Sequence, residues 1–255
     1  MATTAAVTER VRKLLDKAED SAVTPEEAQT YAAKAAELIA KHNLDQATVR
    51  HREGKRPEPI KLLKFEVSGQ GWHGKARAAL ACWVAEAHGC SVCTMGNLMN
   101  GKTRWVLIMG PAATLKGLEA LLPSILLQAE SQGVAAAKAH LNEVRDRIDT
   151  PANANIERRT FYRTYLDAYG RGVAEKIARS REAMAERVKG KAGELVLVSD
   201  AERTKAAFEK NFPELKAGRG DKYNAAGAAA GHRDGRNVDT GQTKVGKTAR
   251  AAVNG

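Results

Sequence analysis

Residues 8–44, TERVRKLLDKAEDSAVTPEEAQTYAAKAAELIAKHNL, carry two helical periodicities with a helix-start signal between them. Val11, Leu14, Leu15 and Ala18 recur at i, i+3, i+4 and i+7, and Ala28, Tyr31, Ala32, Ala35, Leu38 and Ile39 repeat the pattern. Such spacing places apolar side chains on one face of an α-helix. Thr24-Pro25-Glu26-Glu27 separates the two runs. A threonine caps a helix, proline suits its first position, and a glutamate three residues after the cap closes a capping box. The segment therefore predicts an N-terminal helical hairpin, assigned to residues 1–49.

Working outward, residues 50–59 (RHREGKRPEP) are charged and proline-punctuated and read as a linker. Residues 60–67 have strand character, and Gly69-Gln70-Gly71 breaks them. A periodic helix follows through Ala76, Ala79, Leu80, Trp83, Val84 and Ala87, with Gly89 as its C-terminal stop. Residues 90–95 and 103–109 predict two strands joined at Asn100-Gly101, a hairpin turn signal. A helix over 112–141 is expected to kink or split at Pro123. Residues 149–155 read as a loop, and 156–188 as an amphipathic helix with Phe161, Tyr165, Tyr169, Val173 and Ile177 on one side. The apolar run 194–199 suggests a strand, after which Asp200 caps a helix reaching Asn211. From residue 216 the chain turns rich in glycine, alanine and single charges, which reads as a flexible basic tail with one short helix over 222–232. There, Gly227, Gly231 and Gly235 stand four apart, a spacing suited to close helix packing. The expected fold is α+β: the hairpin, a linker over 50–59, an α+β domain over 60–215 with a small antiparallel sheet covered by long helices, and the tail over 216–255.

The 255 residues suffice for a sizeable core. Forty-one Lys and Arg against 30 Asp and Glu give a formal charge of +11, which favours polyanionic partners. Cys82, Cys90 and Cys93 are an odd set with no disulfide framework. The start of the chain lacks the charged and apolar regions of a signal peptide, and no apolar run approaches the ~20 residues of a membrane span. A reducing cytoplasm is the expected setting, with no membrane contact.

Few motifs carry chemistry. Gly241 to Thr248 spells G-x-x-x-x-G-K-T, but a phosphate-binding loop needs a buried strand before it and a helix after it. Polar, glycine-broken sequence precedes the motif and only seven residues follow, so it reads as coincidence and no cofactor is expected. Cys82, His88, Cys90 and Cys93 are zinc-type ligands within twelve residues. Their helix-then-strand placement argues against convergence, because Cys90 and Cys93 should face opposite sides of a strand. They stand as weak metal candidates, with buried free thiols as the plainer alternative. His73, in the glycine-rich approach to a helix, is a candidate base, with a capping or surface role as the alternative. Neither H-E-x-x-H nor G-x-S-x-G occurs.

The functional weight falls on the basic helix. Arg158, Arg159, Arg163, Arg171, Lys176 and Arg179 lie along it, continued by Arg181, Arg187, Lys189 and Lys191. Arg159, Arg163 and Lys176 are expected to share an exposed stripe suited to phosphates. Glu157, Asp167, Glu175, Glu182 and Glu186 interleave with them, and ordinary surface ion pairs are the competing account. The tail adds Lys216, Arg219, Lys222, Arg233, Arg236, Lys244, Lys247 and Arg250.

Arg12-Lys13-Leu14-Leu15, Ala18-Glu19, Glu27-Ala28, Lys34-Ala35, Glu37-Leu38 and Lys41-His42-Asn43-Leu44 resemble an N-terminal domain of many actinobacterial and bacteriophage proteins. That domain is catalogued only as one of unknown function. Trp83-Val84-Ala85 through Cys90, Gly110 through Gln128, the Phe161-Tyr162-Arg163 helix and the AAGAAAGHRDG segment look similar to the second uncharacterised domain that often follows it. The resemblance implies a phage or mobile-element setting and transfers no catalytic residue. The expectation is a non-enzymatic accessory protein that binds DNA or RNA without sequence preference. The alternatives are a module engaging a host or phage protein, and a metal-dependent enzyme centred on His73 or the cysteines.

Overall fold

The computed structural model describes residues 4–18, 20, 22–24, 27, 31, 34–35, 38–39, 57–67, 71–96, 104–187, 192–215 and 222–237. Along these the elements run α1 (Thr4–Ala18), β1 (Ile60–Val67), α2 (Gly71–Ala87), β2 (Ser91–Gly96), β3 (Arg104–Pro111), α3 (Ala112–Glu143), a 3-10 turn (Arg145–Arg147), α4 (Pro151–Arg187), α5 (Ala192–Asn211) and α6 (Ala225–Asn237). The fold is α+β, with a three-stranded antiparallel sheet in the order β1-β3-β2.

The capping box forms as its residues demand. Thr24 N donates to Glu27 Oε2 (3.1 Å), and Glu27 N donates to Thr24 Oγ1 (3.3 Å). Val11, Leu15, Ala35 and Ile39 are buried in the same core cluster as the rest of the molecule. Ile39 reaches α3 at Gly117, where a Cβ would overlap its side chain.

Strand β3 pairs along its whole length with β1, from Ile60↔Pro111 to Val67↔Arg104, and with β2 from Ser91↔Met109 to Gly96↔Arg104. Alternation sends Val106 and Ile108 into the main core against α2 and α3. Leu107 and Met109 are buried on the opposite face, where α5 packs. Arg203 fixes α5 there, donating to the Glu58 carbonyl (2.7 Å) while pairing with Asp200 (2.8 Å). Gly89, at φ +80°, turns the chain out of α2.

Helix α4 is the axis of the molecule. Its buried face carries Phe161, Tyr165, Tyr169, Val173 and Ile177, as their spacing predicts. Tyr165 and Tyr169 are fully buried, and α2, α3 and α6 all pack on this helix. Gly170 admits α2 at close range: a Cβ there would lie 2.8 Å from Leu80 Cα.

Three sequence expectations are corrected. Helix α4 begins at Pro151 rather than after a loop over 149–155, because Thr150 caps it: Asn153 N donates to Thr150 Oγ1 (3.2 Å) and Ala154 N to the Thr150 carbonyl (3.1 Å). Helix α3 does not split at Pro123. The proline sits on the exposed side, where water can reach the carbonyl it leaves unbonded, while Leu118, Leu121, Leu122 and Ile125 stay buried. The run 194–199 is no strand; it lies within α5, and Asp200 pairs with Arg203 inside that helix instead of capping it. An apolar run this short cannot by itself separate strand from helix.

In the tail, the short helix expected over 222–232 is present, with bounds shifted a few residues on. Residues 225–237 are a docked helix, parallel to α4 in a matched register. A Cβ on Gly227 would lie 2.6 Å from the Phe161 carbonyl oxygen, and Gly231 and Gly235 stand closer still to those of Tyr165 and Tyr169. Gly172 reciprocates, facing the His232 carbonyl and Arg236 N. Asn224 caps the helix, its Oδ1 accepting from Gly227 N (2.8 Å). Its Nδ2 donates to Glu157 Oε1 (2.7 Å), which also meets His140 Nε2 at 2.8 Å. Tyr165 Oη donates to Asp234 (2.8 Å), so even the fully buried tyrosine has a partner on α6.

The Asn100-Gly101 turn, most of the 50–59 linker, Lys189 and Lys191, and residues 238–255 with their G-x-x-x-x-G-K-T lie outside the described residues.

Candidate anion-binding corner

The six basic candidates on α4 do not share one environment. Arg171 pairs with Asp167 (3.0 Å) and lies over the Trp83 ring (4.7 Å), whose Nε1 also donates to Asp167 (2.9 Å). Arg179 pairs with Glu175 (3.5 Å), which also receives His232 (2.8 Å) and Arg236 (3.7 Å) from α6. Hydrogen bonding to His232 holds the Glu175 carboxyl below the usual range. Arg163 donates to the Lys222 carbonyl (3.0 Å), and Lys176 is half-buried and engaged in an interaction of its own. Arg171, Arg179 and Arg163 are thus tied to Trp83 of α2, to acids on α4 itself or to the chain leading into α6. Arg181, also on the helix, hydrogen-bonds the Ala87 carbonyl (2.6 Å) and lies against Gly89, so its charge meets the C-terminal end of α2.

Arg158 and Arg159 differ. Both are exposed, in the first part of α4, and both act electrostatically on His73 at the start of α2. Three helices meet at this corner. Arg77, one turn beyond His73, pairs with Glu130 of α3: Nε lies 2.5 Å from Oε1, and NH2 donates to Oε2 (2.7 Å). Arg77 also hydrogen-bonds Tyr162 of α4, whose ring meets the His73 ring edge-on at 5.1 Å. Gly133 of α3 makes room for the Tyr162 ring, which would stand 3.0 Å from a Cβ there.

His73 is half-buried, and its Nδ1 is enclosed with no hydrogen-bond partner among the described residues. Burial holds its pKa below 6.5, aided by Arg77, Arg159 and Arg158; Glu130 opposes them. Three guanidinium groups, of which Arg77 is already paired with Glu130, thus act electrostatically on one imidazole. Such an arrangement favours an incoming anion. Burial, aided by Glu130, also raises the Tyr162 pKa, keeping the phenol a neutral hydrogen-bonding group.

Sequence reasoning found Arg158, Arg159 and His73 but missed Arg77, Glu130 and Tyr162. Their link crosses three helices, and no local spacing marks it.

The cysteine candidates lie elsewhere. Cys90 is buried, with its Sγ packed on Gly110, and Cys82 and Cys93 are half-buried. Burial pushes the Cys82 and Cys90 thiols up to about 12. His88 is buried, and desolvation, with Arg181 nearby, lowers its pKa to about 3. Among the described residues, no three His, Cys, Asp or Glu side chains gather in a metal-holding group.

Comparison with known proteins bears on the hairpin. Residues 6–46 match a family model described as "Protein of unknown function (DUF2786)". No curated protein and no solved structure matches the chain. Among the described residues, no helix is long and apolar enough to cross a membrane.

Proposed function

We propose that this is a non-enzymatic accessory protein that associates with DNA or RNA through the corner formed by His73, Arg77, Arg158 and Arg159. The observation that carries the reading is the exposure of Arg158 and Arg159 on the first part of α4, with Glu130 the one carboxylate acting on His73 among the described residues. The charge of +11 supports it by adding long-range attraction for a polyanion. Guanidinium contacts to phosphate give affinity that depends on salt and tolerates any sequence. The likeness of the hairpin residues to actinobacterial and bacteriophage proteins supports a phage or mobile-element setting, in the host cytoplasm.

Fluorescence anisotropy with single- and double-stranded oligonucleotides at low salt tests this. The wild type binds, and affinity falls as salt rises. Arg158→Glu with Arg159→Glu weakens binding by about tenfold or more and flattens the salt slope by about 1.4 on a single strand. Arg171→Ala and Arg179→Ala, which remove arginines already paired with acids, change affinity by less than about twofold. An absence of binding at low salt overturns the proposal.

A further inference from the structure

We propose that the outer edge of β1 is a surface for a second copy of this chain: residues 63–67 of two copies pair antiparallel across a two-fold axis centred on Phe65, joining their sheets edge to edge. The inference concerns assembly and stands apart from the nucleic-acid reading.

Strand β1 pairs with β3 on one side, and its other edge meets no strand among the described residues. The pairing with β3 runs residue for residue from Ile60↔Pro111 to Val67↔Arg104, with no bulge and no proline inside the strand. Bulges, prolines and outward-pointing lysines are the devices that keep such an edge from pairing with another chain. A lysine does stand mid-strand, but Lys64 leans back over the Trp105 ring of β3 (4.1 Å) instead of projecting past the edge.

Alternation gives β1 two different faces. Leu63, Phe65 and Val67 point to the main core; Val67 is buried there, while Leu63 and Phe65 are only half-buried. Lys64 and Glu66 lie on the opposite face, where Lys64 meets Trp105, and both are exposed. The edge therefore offers incompletely covered apolar side chains on one face and one charge of each sign on the other.

When a strand pairs antiparallel with its own copy, each face stays continuous only if a residue sits on the two-fold axis. Centred on Phe65, Lys64 of each copy meets Glu66 of the other, while on the core face Phe65 meets Phe65 and Leu63 meets Val67. Centred on Lys64 the lysines oppose each other, and centred on Glu66 the glutamates do. Centred on Leu63, Lys64 meets Leu62 and no charge is matched. Opposite charges and apolar pairs directly across strands stabilise a sheet, whereas like charges weaken it. The register about Phe65 satisfies both faces together. Strand β2, the other edge, is six residues long and carries no charged side chain, so charge selects no register there.

The test is sedimentation velocity of the full chain, without nucleic acid, over a concentration series for wild type, Lys64→Glu, Glu66→Lys and the double reversal. Wild type should pass from monomer to dimer as concentration rises. Each single reversal sets like charges opposite each other twice and should raise the dissociation constant about tenfold. The double reversal restores the opposite-charge pairs and should return it to within about twofold of wild type. Hydrogen exchange of wild type supplies a readout that needs no variant: the amides of residues 63–67 that face away from β3 should exchange more slowly as concentration rises. A monomer at every concentration overturns the proposal, as does a dimer that ignores both single reversals. Protection of those amides that stays constant with concentration also overturns it, and strong constant protection would mean that the edge is covered from within the chain.

Discussion

His88 shows what burial does to a single side chain here. It ends α2 inside the protein, its Nε2 has no hydrogen-bond partner among the described residues, and desolvation with Arg181 nearby lowers its pKa to about 3. An unfolded chain takes up this proton near 6.5. Between those values the unfolded state binds more protons, so stability is full above about pH 6.5 and falls as pH drops toward about 3. The loss from this residue approaches at most about 1.4 kcal/mol per pH unit. Urea denaturation of wild type and His88→Phe across that window should show a shallower decline for the variant. Parallel slopes would mean that the histidine is hydrated in the folded protein. Sequence placed His88 among weak metal ligands because its type and spacing fit; burial, which spacing does not encode, gives it a different role. Cys90 was weighed on the same grounds, with a buried free thiol as the alternative, and its thiol lies against Gly110.

Helix α6 makes the strongest case at the level of elements. Its glycines meet the carbonyls of Phe161, Tyr165 and Tyr169 one for one, and those carbonyls belong to a helix backbone that cannot step aside. Replacing a helical glycine by alanine ordinarily gains up to ~1 kcal/mol in propensity. At Gly231 the added methyl group overlaps the Tyr165 carbonyl, and overpacking typically costs about 1–3 kcal/mol. Overlap wins, so Gly231→Ala should destabilise the protein in thermal or urea unfolding, whereas an increase in stability would mean that the helices pack less closely. The four-residue glycine spacing was legible in the sequence as a packing signal. Glycine loses more backbone freedom on ordering than other residues, which works against a helix here. Close approach along a whole helix face, capped by Asn224, outweighs that cost. For α5 the opposite happened: residues 194–199 look apolar in isolation and suggested a strand, yet they lie within a helix.

At the scale of the whole molecule, α4 holds the other elements together, and the sequence reported its buried face correctly through Phe161, Tyr165, Tyr169, Val173 and Ile177. The first helix, the three strands and the long helices were equally readable, because hydrophobic period and capping residues are local. The corner at His73 was only half visible, since its geometry depends on three helices meeting. A chain shortened to end before residue 222 loses Asn224, Asp234 and the glycine row together. It should therefore unfold with reduced cooperativity and bind a hydrophobic dye such as ANS; a sharp, dye-free transition would show that α6 is dispensable to the core.

The pairing of Tyr165 with Asp234 joins positions 69 residues apart. During synthesis the aromatic spine emerges well before the segment that shields its backbone, so the nascent domain passes through an interval with that flank uncovered. Completion of this fold thus waits for a glycine-rich helix that is made after the spine it covers.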